Sequence, residues 1–196
     1  MSSTQTRSRL TLIALFALFF TPILIAVVLH SEWVDWQADP AKANGELIEP
    51  VEPIGTFRLE DSSGTLRTES DLLGRWQLVY TARSACEEAC RENLALMYNI
   101  RLAQDRHRDE IGLLLLSDQR LNQTTQAALQ TGGSSWQAFD DEAGAELLSR
   151  FPRAADGSFY IVDPEANIME RFRPGADPNG VRKDLDRLLT WTVREQ

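Results

Sequence analysis

Two cysteines four residues apart are the side chains of this sequence best suited to chemistry. Cys86 and Cys90 are the only cysteines of the chain, so any thiol or soft-metal chemistry must use them. If the chain is helical after Cys86, both sulfur atoms lie on one face and the two α-carbons are about 6 Å apart, which a disulfide can span. The spacing therefore predicts a dithiol that can be oxidised reversibly.

The surrounding sequence places the pair where a strand runs into a helix. Residues 76–81 are typical of a buried strand, and residues 87–108 favour a helix. Unpaired N–H groups and the positive end of the helix dipole favour a thiolate at such a junction. We expect Cys86 to be the attacking thiolate, exposed at the mouth of the helix, and Cys90 to be the resolving thiol.

Two other interpretations of the cysteine pair stay open. One is a permanent structural disulfide in an oxidising compartment, although closing so small a ring stabilises a protein relatively little. The other is a pair of inert thiols. Glu87 and Glu88 oppose a thiolate by like charge and Arg91 partly compensates, and the sequence does not decide which effect is larger.

The pattern of apolar residues predicts one layered α/β domain that mixes parallel and antiparallel strands. The domain begins with a small β-hairpin, and helices flank a central sheet. In chain order we predict the hairpin over residues 57–67, a strand over 76–81, a helix over 87–108, a strand over 111–116, helices over 124–129 and 141–151, strands over 158–162 and 168–172, and a helix over 178–195.

An uncharged apolar run near the N-terminus is predicted to be a single transmembrane helix. It covers residues 10–29, and 20 residues at about 1.5 Å each cross about 30 Å of hydrocarbon. Arg7 and Arg9 precede the run and no acidic residue occurs in the first 30 positions, so residues 1–9 are expected in the cytoplasm and the rest outside it. A cleaved signal peptide is disfavoured because the small-x-small site at residues 41–43 lies too far downstream.

The exported part of the chain is acidic. The 196 residues carry a net charge of -9, and removing Arg7 and Arg9 from that total leaves -11 on residues 31–196. Such a surface excludes a general affinity for nucleic acid and repels anionic lipid headgroups. Residues 30–54 hold three prolines among Asp, Glu and Ala and are predicted to be a tether, which leaves residues 55–196 for the globular domain.

Four stretches of this sequence match the pattern of a known family. They are Asp71-Leu72-Leu73-Gly74-Arg75-Trp76-Gln77-Leu78-Val79-Tyr80, Cys86-Glu87-Glu88-Ala89-Cys90, Leu116-Ser117-Asp118 and Tyr160-Ile161-Val162-Asp163-Pro164-Glu165. Together they resemble the Sco/SenC family of cytochrome c oxidase assembly proteins. The resemblance implies a thioredoxin-like domain behind a membrane anchor, facing the periplasm of a bacterium or the mitochondrial intermembrane space. It also implies a Cys-x-x-x-Cys pair that, with a histidine before the late strand, binds copper and reduces or metallates the binuclear copper site of the oxidase.

The family's histidine does not carry over to this sequence. Residues 153–158, where the family places it, read Arg-Ala-Ala-Asp-Gly-Ser. His30 is expected at the membrane surface, and His107 follows Cys90 by 17 residues, about 25 Å along a helix. Both imidazoles are expected to be solvated surface groups, and the prolines that follow each cysteine in the family are also absent.

These departures predict a divergent, histidine-lacking relative with three candidate functions. The first is thiol-disulfide exchange through Cys86 and Cys90, as an oxidoreductase needing no cofactor, with the copper-binding subunit of cytochrome c oxidase or another periplasmic thiol protein as partner. The second is a copper chaperone in which the two thiolates hold Cu(I) with a ligand borrowed from the partner. The third is a non-catalytic docking module with a structural disulfide. Met97 and Met169 are expected in the core rather than as ligands.

All three place the protein in the bacterial inner membrane as a single-pass protein, with its N-terminus in the cytoplasm and its globular domain in the periplasm.

Overall fold

The computed structural model describes residues 16–21, 43–131 and 133–192. Within these ranges no helix is long and apolar enough to cross a membrane. Residues 16–21 are helical, but most of the transmembrane helix predicted over residues 10–29 lies outside the described residues, as do residues 1–9 and the first part of the tether. The chain divides into two units, Met1–Lys42 and Ala43–Gln196, and the second contains the α/β domain.

The described part of the second unit contains eight strands, four α-helices and three 3-10 turns. The strands are β1 (Glu46–Pro53), β2 (Arg58–Glu60), β3 (Leu66–Thr68), β4 (Trp76–Ala82), β5 (Ile111–Ser117), β6 (Trp136–Phe139), β7 (Ser158–Val162) and β8 (Asn167–Phe172). The helices are α1 (Glu88–Leu102), α2 (Gln123–Thr131), α3 (Asp141–Leu148) and α4 (Pro178–Thr192), and the 3-10 turns are Glu69–Asp71, Asp105–Glu110 and Gly133–Ser135.

Six of the strands form one mixed sheet in the order β1-β8-β7-β4-β5-β6. β4, β5 and β6 run parallel, whereas β7, β8 and β1 add to the other side of β4 as antiparallel neighbours. β2 and β3 pair separately as the predicted hairpin. The predictions of a mixed sheet and of a hairpin are confirmed, but β1 precedes the hairpin, so the hairpin does not begin the domain.

The sheet separates two apolar cores. Leu113 and Leu115 of β5 point into one core, and Leu114 and Leu116 point into the other, as the alternation of side chains along a strand requires. Helices α1, α2 and α4 contribute to the first core, and α3 contributes to the second. Because both faces of the sheet are covered, β4 and β5 are buried along their whole length, as continuous apolar strands in the middle of a sheet should be.

The tether predicted over residues 30–54 is too long at its C-terminal end. Residues 46–53 form β1, which pairs with β8 at the edge of the sheet. The prolines of this stretch, Pro50 and Pro53, are tolerated because an edge strand leaves half of its N–H groups unpaired. The register also shifts between Leu47 and Glu52, as at a bulge, so the alternating pattern that identifies a strand is absent from the sequence.

Other elements also differ from the sequence prediction, and the helix predicted over residues 141–151 ends at Leu148. The helix predicted over residues 87–108 ends at Leu102, and the 3-10 turn Asp105–Glu110 follows it before β5. The positive φ of 49° at Asp105 marks the break in the chain, because a left-handed residue cannot continue a right-handed helix. β6, with four residues, was not predicted; its Trp136 and Gln137 are only half-buried, so it has no continuous apolar run.

Two carboxyl groups hold the start of β1 against the rest of the domain. The Asn44 and Gly45 amides donate to Asp184 Oδ2 at 2.6 and 3.2 Å, and Gly45 N also donates to Glu170 Oε1 at 2.9 Å. Both acids are buried, with 2% of Glu170 and 1% of Asp184 exposed. A β-carbon at Gly45 would lie 2.7 Å from the Glu170 side chain, so any larger residue would require that side chain to shift.

Burial raises the pKa of Glu170 to about 8, and the neighbouring Asp184 carboxyl contributes in the same direction. An unfolded glutamate ionises near pH 4.5. Between these two pH values the folded chain holds one proton more than the unfolded chain, so raising the pH favours unfolding.

We therefore expect the free energy of unfolding to fall between pH 5 and 8, with Glu170 contributing a slope of up to about 1.4 kcal/mol per pH unit. Glu170→Gln, which cannot ionise, should remove that contribution. The measurement is urea unfolding of the full chain across this pH range, with the exposed Glu165→Gln as the matched control. Equal slopes for Glu170→Gln and the natural chain would contradict the assignment.

Candidate functional site

The two cysteines form a disulfide at the carboxyl edge of the sheet. Cys86 and Cys90 are bonded to each other with their α-carbons 5.1 Å apart, and the described chain has no free cysteine. Helix α1 starts at Glu88 with Glu87 as its N-cap, so Cys86 lies just before the helix and Cys90 is the third residue inside it. The pairing of the thiols is as the spacing predicts.

The exposure of the two cysteines is the reverse of the expectation from the sequence. Cys86 is 3% exposed and belongs to the first core, whereas Cys90 is half-buried and packs against the edge of that core. Cys86 is covered because the chain before α1 folds back against the start of α2. Its carbonyl oxygen accepts hydrogen bonds from Thr125 Oγ1 at 3.1 Å and from Asn122 Nδ2 at 3.4 Å.

The segment before Cys86 is held by Asp156. The two amides of Arg83 and Ser84 donate to Asp156 Oδ1 at 2.8 and 3.4 Å, and Ser84 Oγ donates to Asp156 Oδ2 at 2.6 Å. Burial alone would raise the pKa of this carboxyl, but the hydrogen bonds from Ser84 and Arg83 outweigh it and keep the pKa below its usual value. Asp156 therefore stays ionised and bonded at neutral pH.

Further hydrogen bonds fix the segment around Asp156 to β4. Thr81 Oγ1 donates to the Ala155 carbonyl oxygen at 2.7 Å, and Gly157 N donates to the Thr81 carbonyl oxygen at 2.8 Å. Arg83 Nε donates to the carbonyl oxygen of Ala154 at 2.9 Å. The segment that precedes β7 is thus attached at several points to the strand that leads into the disulfide.

Tyr80 connects β4 to the first turns of α1. Asn93 Nδ2 donates to the Tyr80 hydroxyl at 3.4 Å, and the ring of Tyr80 packs at a tilt against Phe159 with centroids 5.1 Å apart. Burial raises the pKa of the Tyr80 hydroxyl, so it stays protonated at neutral pH. Asn93 follows Cys90 by three residues, so this contact helps to set the position of the helix that carries Cys90.

In the described part of the chain, the site offers a metal its two sulfur atoms. No group of three or more His, Cys, Asp or Glu side chains suited to a metal occurs among the described residues. Asp156 lies in the segment where the resemblance expects a histidine, but both of its oxygens accept hydrogen bonds from residues 83 and 84. A three-ligand copper site of the family type does not fit these residues.

His107, the histidine that the structure describes, does not complete such a site. His30 lies outside the described residues. His107 lies in the 3-10 turn before β5, where its Nδ1 is 2.9 Å from Glu110 Oε1, so it is paired rather than simply solvated. Because β4 and β5 are parallel, this turn lies at the amino edge of the sheet and the disulfide at the opposite, carboxyl edge. Met97 is fully buried, as expected of a core residue.

Sequence reasoning missed three residues that shape the site. The Asp156-Gly157 pair indicates a turn, but a turn pattern does not predict that the Asp156 carboxylate accepts hydrogen bonds from residues 83 and 84. Asn122 and Thr125 had no local signal, because they come from a segment 36 and 39 residues beyond Cys86. Contacts between such distant segments require the three-dimensional fold.

A comparison with protein families gives a match to the family described as "Transmembrane-like, thioredoxin-like, C-terminal domain", over residues 76–192. The chain belongs to this family. The matched region begins at β4 and ends at the last residue of α4, so it includes the disulfide and the segment of Asp156. Among curated proteins, none matches the sequence.

Several solved structures share the fold of this thioredoxin-like family member. Yeast Sco1 with copper bound is 17% identical with a TM-score of 0.59, covering 73% of this chain and 95% of that chain. Bradyrhizobium japonicum ScoI with copper bound is 17% identical with a TM-score of 0.52, covering 68% of this chain and 97% of that chain. BsSco, a Sco family member for which a disulfide switch is described, is 14% identical with a TM-score of 0.52. That match covers 70% of this chain and 94% of that chain.

These similarities confirm the thioredoxin-like fold and the resemblance to Sco proteins at the level of that fold. The low identities are those of a divergent relative. The copper of the first two structures and the disulfide switch of the third are properties of those proteins.

The contacts of Asp156 generate a prediction about the disulfide. Asp156→Ala removes three hydrogen bonds that hold the segment before Cys86. We expect it to lower the free energy of unfolding by about 1 kcal/mol, because the carboxylate is partly exposed. With this segment less constrained, the two reduced thiols of the variant should meet less often. We therefore expect the disulfide to be reduced several-fold more readily in a glutathione buffer.

Asp186→Ala, which removes an exposed carboxylate on α4, is the matched control. It should leave the redox equilibrium unchanged. A redox equilibrium for Asp156→Ala equal to that of the control would show that the Asp156 contacts do not constrain the disulfide.

Proposed function

We propose that this protein is a membrane-anchored thiol-disulfide exchange protein of the Sco type. The observation that carries the proposal is the Cys86–Cys90 disulfide. It joins Cys86, which precedes the N-cap of helix α1, to the first turn of that helix and leaves Cys90 partly exposed. A disulfide that closes so short a stretch of chain adds little to stability, whereas its accessible sulfur can be attacked by another thiolate.

Charge near the disulfide supports exchange. Cys90 lies in the first turn of a 15-residue helix, where the positive end of the helix dipole stabilises a thiolate. Arg91 adds a positive charge, and its NH1 donates to the carbonyl oxygen of Cys86 at 3.5 Å. Glu87 and Glu88 are exposed, so solvent screens their opposing charge more than that of the half-buried Arg91.

The partner and location follow from the resemblance and from the sequence of the N-terminal region. The uncharged run over residues 10–29, preceded by Arg7 and Arg9, supports an anchor in the bacterial inner membrane with the globular domain in the periplasm. The Sco family is described as one of cytochrome c oxidase assembly proteins. The partner we propose is the copper-binding subunit of that oxidase, or another periplasmic thiol protein.

This function predicts that millimolar glutathione reduces the disulfide of the full chain reversibly, without denaturant and without loss of the fold. Alkylation of free thiols with a mass tag measures the reduced fraction, and circular dichroism follows the fold. Cys86→Ser and Cys90→Ser each keep one cysteine and cannot form the disulfide, so each shows the mass shift that one tagged thiol produces. A disulfide that resists glutathione until the chain is unfolded would show that the bond is structural.

Cu(I) binding is a second candidate function, since once reduced the same two thiols form a soft donor pair. Copper would then be cargo, held by Cys86 and Cys90 with a ligand from the partner. This candidate predicts that the reduced full chain binds one equivalent of Cu(I) in an anaerobic titration, and that either serine variant loses this binding. If the natural chain does not bind Cu(I) stoichiometrically, the Cu(I) candidate is contradicted and thiol exchange remains as the proposed function.

A further inference from the structure

The two cysteines of the disulfide differ in exposure. Cys86 is 3% exposed and belongs to the first core, whereas Cys90 is half-buried and packs against that core. A thiolate from a second protein must approach the sulfur it attacks in line with the S–S bond, so access decides between the two sulfur atoms. Of the two cysteines, Cys90 is the more exposed and therefore the one we expect to be attacked.

The residues around Cys86 hold it in place. Its carbonyl oxygen accepts hydrogen bonds from Thr125 Oγ1, Asn122 Nδ2 and Arg91 NH1 at 3.1, 3.4 and 3.5 Å. Three donors from two helices and the segment before α2 therefore fix the backbone of Cys86. Exposing its sulfur would require breaking these contacts and opening the core, whereas Cys90 needs no such rearrangement.

Resting on the proposed function, we propose that Cys90, and not Cys86, is the cysteine that forms the mixed disulfide with the partner protein. This order is opposite to the one that the sequence predicts from the position of Cys86 at the helix mouth. Cys86 then acts within the chain, as leaving group in one direction and as resolving thiol in the other.

A partner protein with two thiols supplies the electrons that reduce the Cys86–Cys90 disulfide. A partner thiolate attacks Cys90 Sγ, a new S–S bond joins the partner to Cys90, and the Cys86–Cys90 bond breaks with its electron pair on Cys86 Sγ, which takes a proton from solvent. The second partner thiolate then attacks the partner sulfur of the mixed disulfide, and Cys90 leaves as a thiolate. The partner ends as a disulfide and this chain as a dithiol.

Arg91 has a defined place in this step. It follows Cys90 directly, and its guanidinium donates to the carbonyl oxygen of Cys86. It therefore places a positive charge beside the residue that must accept the electron pair, in a setting where burial disfavours the negative charge.

The natural full chain tests the proposal without any substitution. The oxidised chain is mixed with glutathione, quenched with acid within the first turnover, and its free thiols are alkylated. Cleavage after Glu87 and Glu88 then separates the two cysteines onto different peptides, so mass spectrometry shows which one carries glutathione. We expect at least about tenfold more adduct on Cys90 than on Cys86.

Single variants give an independent rate measurement. Reduced Cys86→Ser, which keeps Cys90, should form a mixed disulfide with oxidised glutathione at least about tenfold faster than reduced Cys90→Ser. Adduct mainly on Cys86, or equal rates for the two variants, would overturn the assignment of Cys90 while leaving exchange itself intact. Absence of adduct on both cysteines, with the disulfide unreduced, would instead overturn the proposed function and this inference together.

Discussion

The central strand β4 is hydrogen-bonded on both sides, to β5 in parallel and to β7 in antiparallel, and this double pairing fixes the point where the chain leaves the sheet before Cys86. All seven residues of β4 are buried, so the strand cannot shift without disrupting both cores. The disulfide, the start of α1 and the segment before β7 all take their positions from its last residues. Thr81 shows this directly, since its side chain and its carbonyl oxygen both bond to the segment that contains Asp156.

Asp156 links this scaffold to the disulfide. In the place where the resemblance expects a metal-binding imidazole, the chain has a carboxylate that accepts three hydrogen bonds from Arg83 and Ser84. A group that would hold a metal is thereby replaced by one that holds the backbone. Among the described residues the site offers two sulfur donors, which supports the thiol exchange that we propose.

The sequence predicted the parts of the fold that depend on local pattern. Short runs of mostly apolar residues identified β4, β5 and β7, and the cysteine spacing identified the pair that forms the disulfide. β1 was assigned to the tether because its prolines and its irregular register hide the alternation of a strand. The exposure of Cys86 was also predicted wrongly, because Thr125 and Asn122, which lie against it, are distant in the chain and no local pattern predicts their approach.

The reduction potential of the Cys86–Cys90 disulfide tests the central claim most directly. Structural disulfides of exported proteins have potentials below about -300 mV, whereas exchangeable ones lie higher. Equilibrating the full chain with glutathione buffers of known potential, and counting alkylated thiols, gives the value. We predict a midpoint above about -300 mV. A lower midpoint, with the disulfide intact in every glutathione buffer, would contradict a role in thiol exchange.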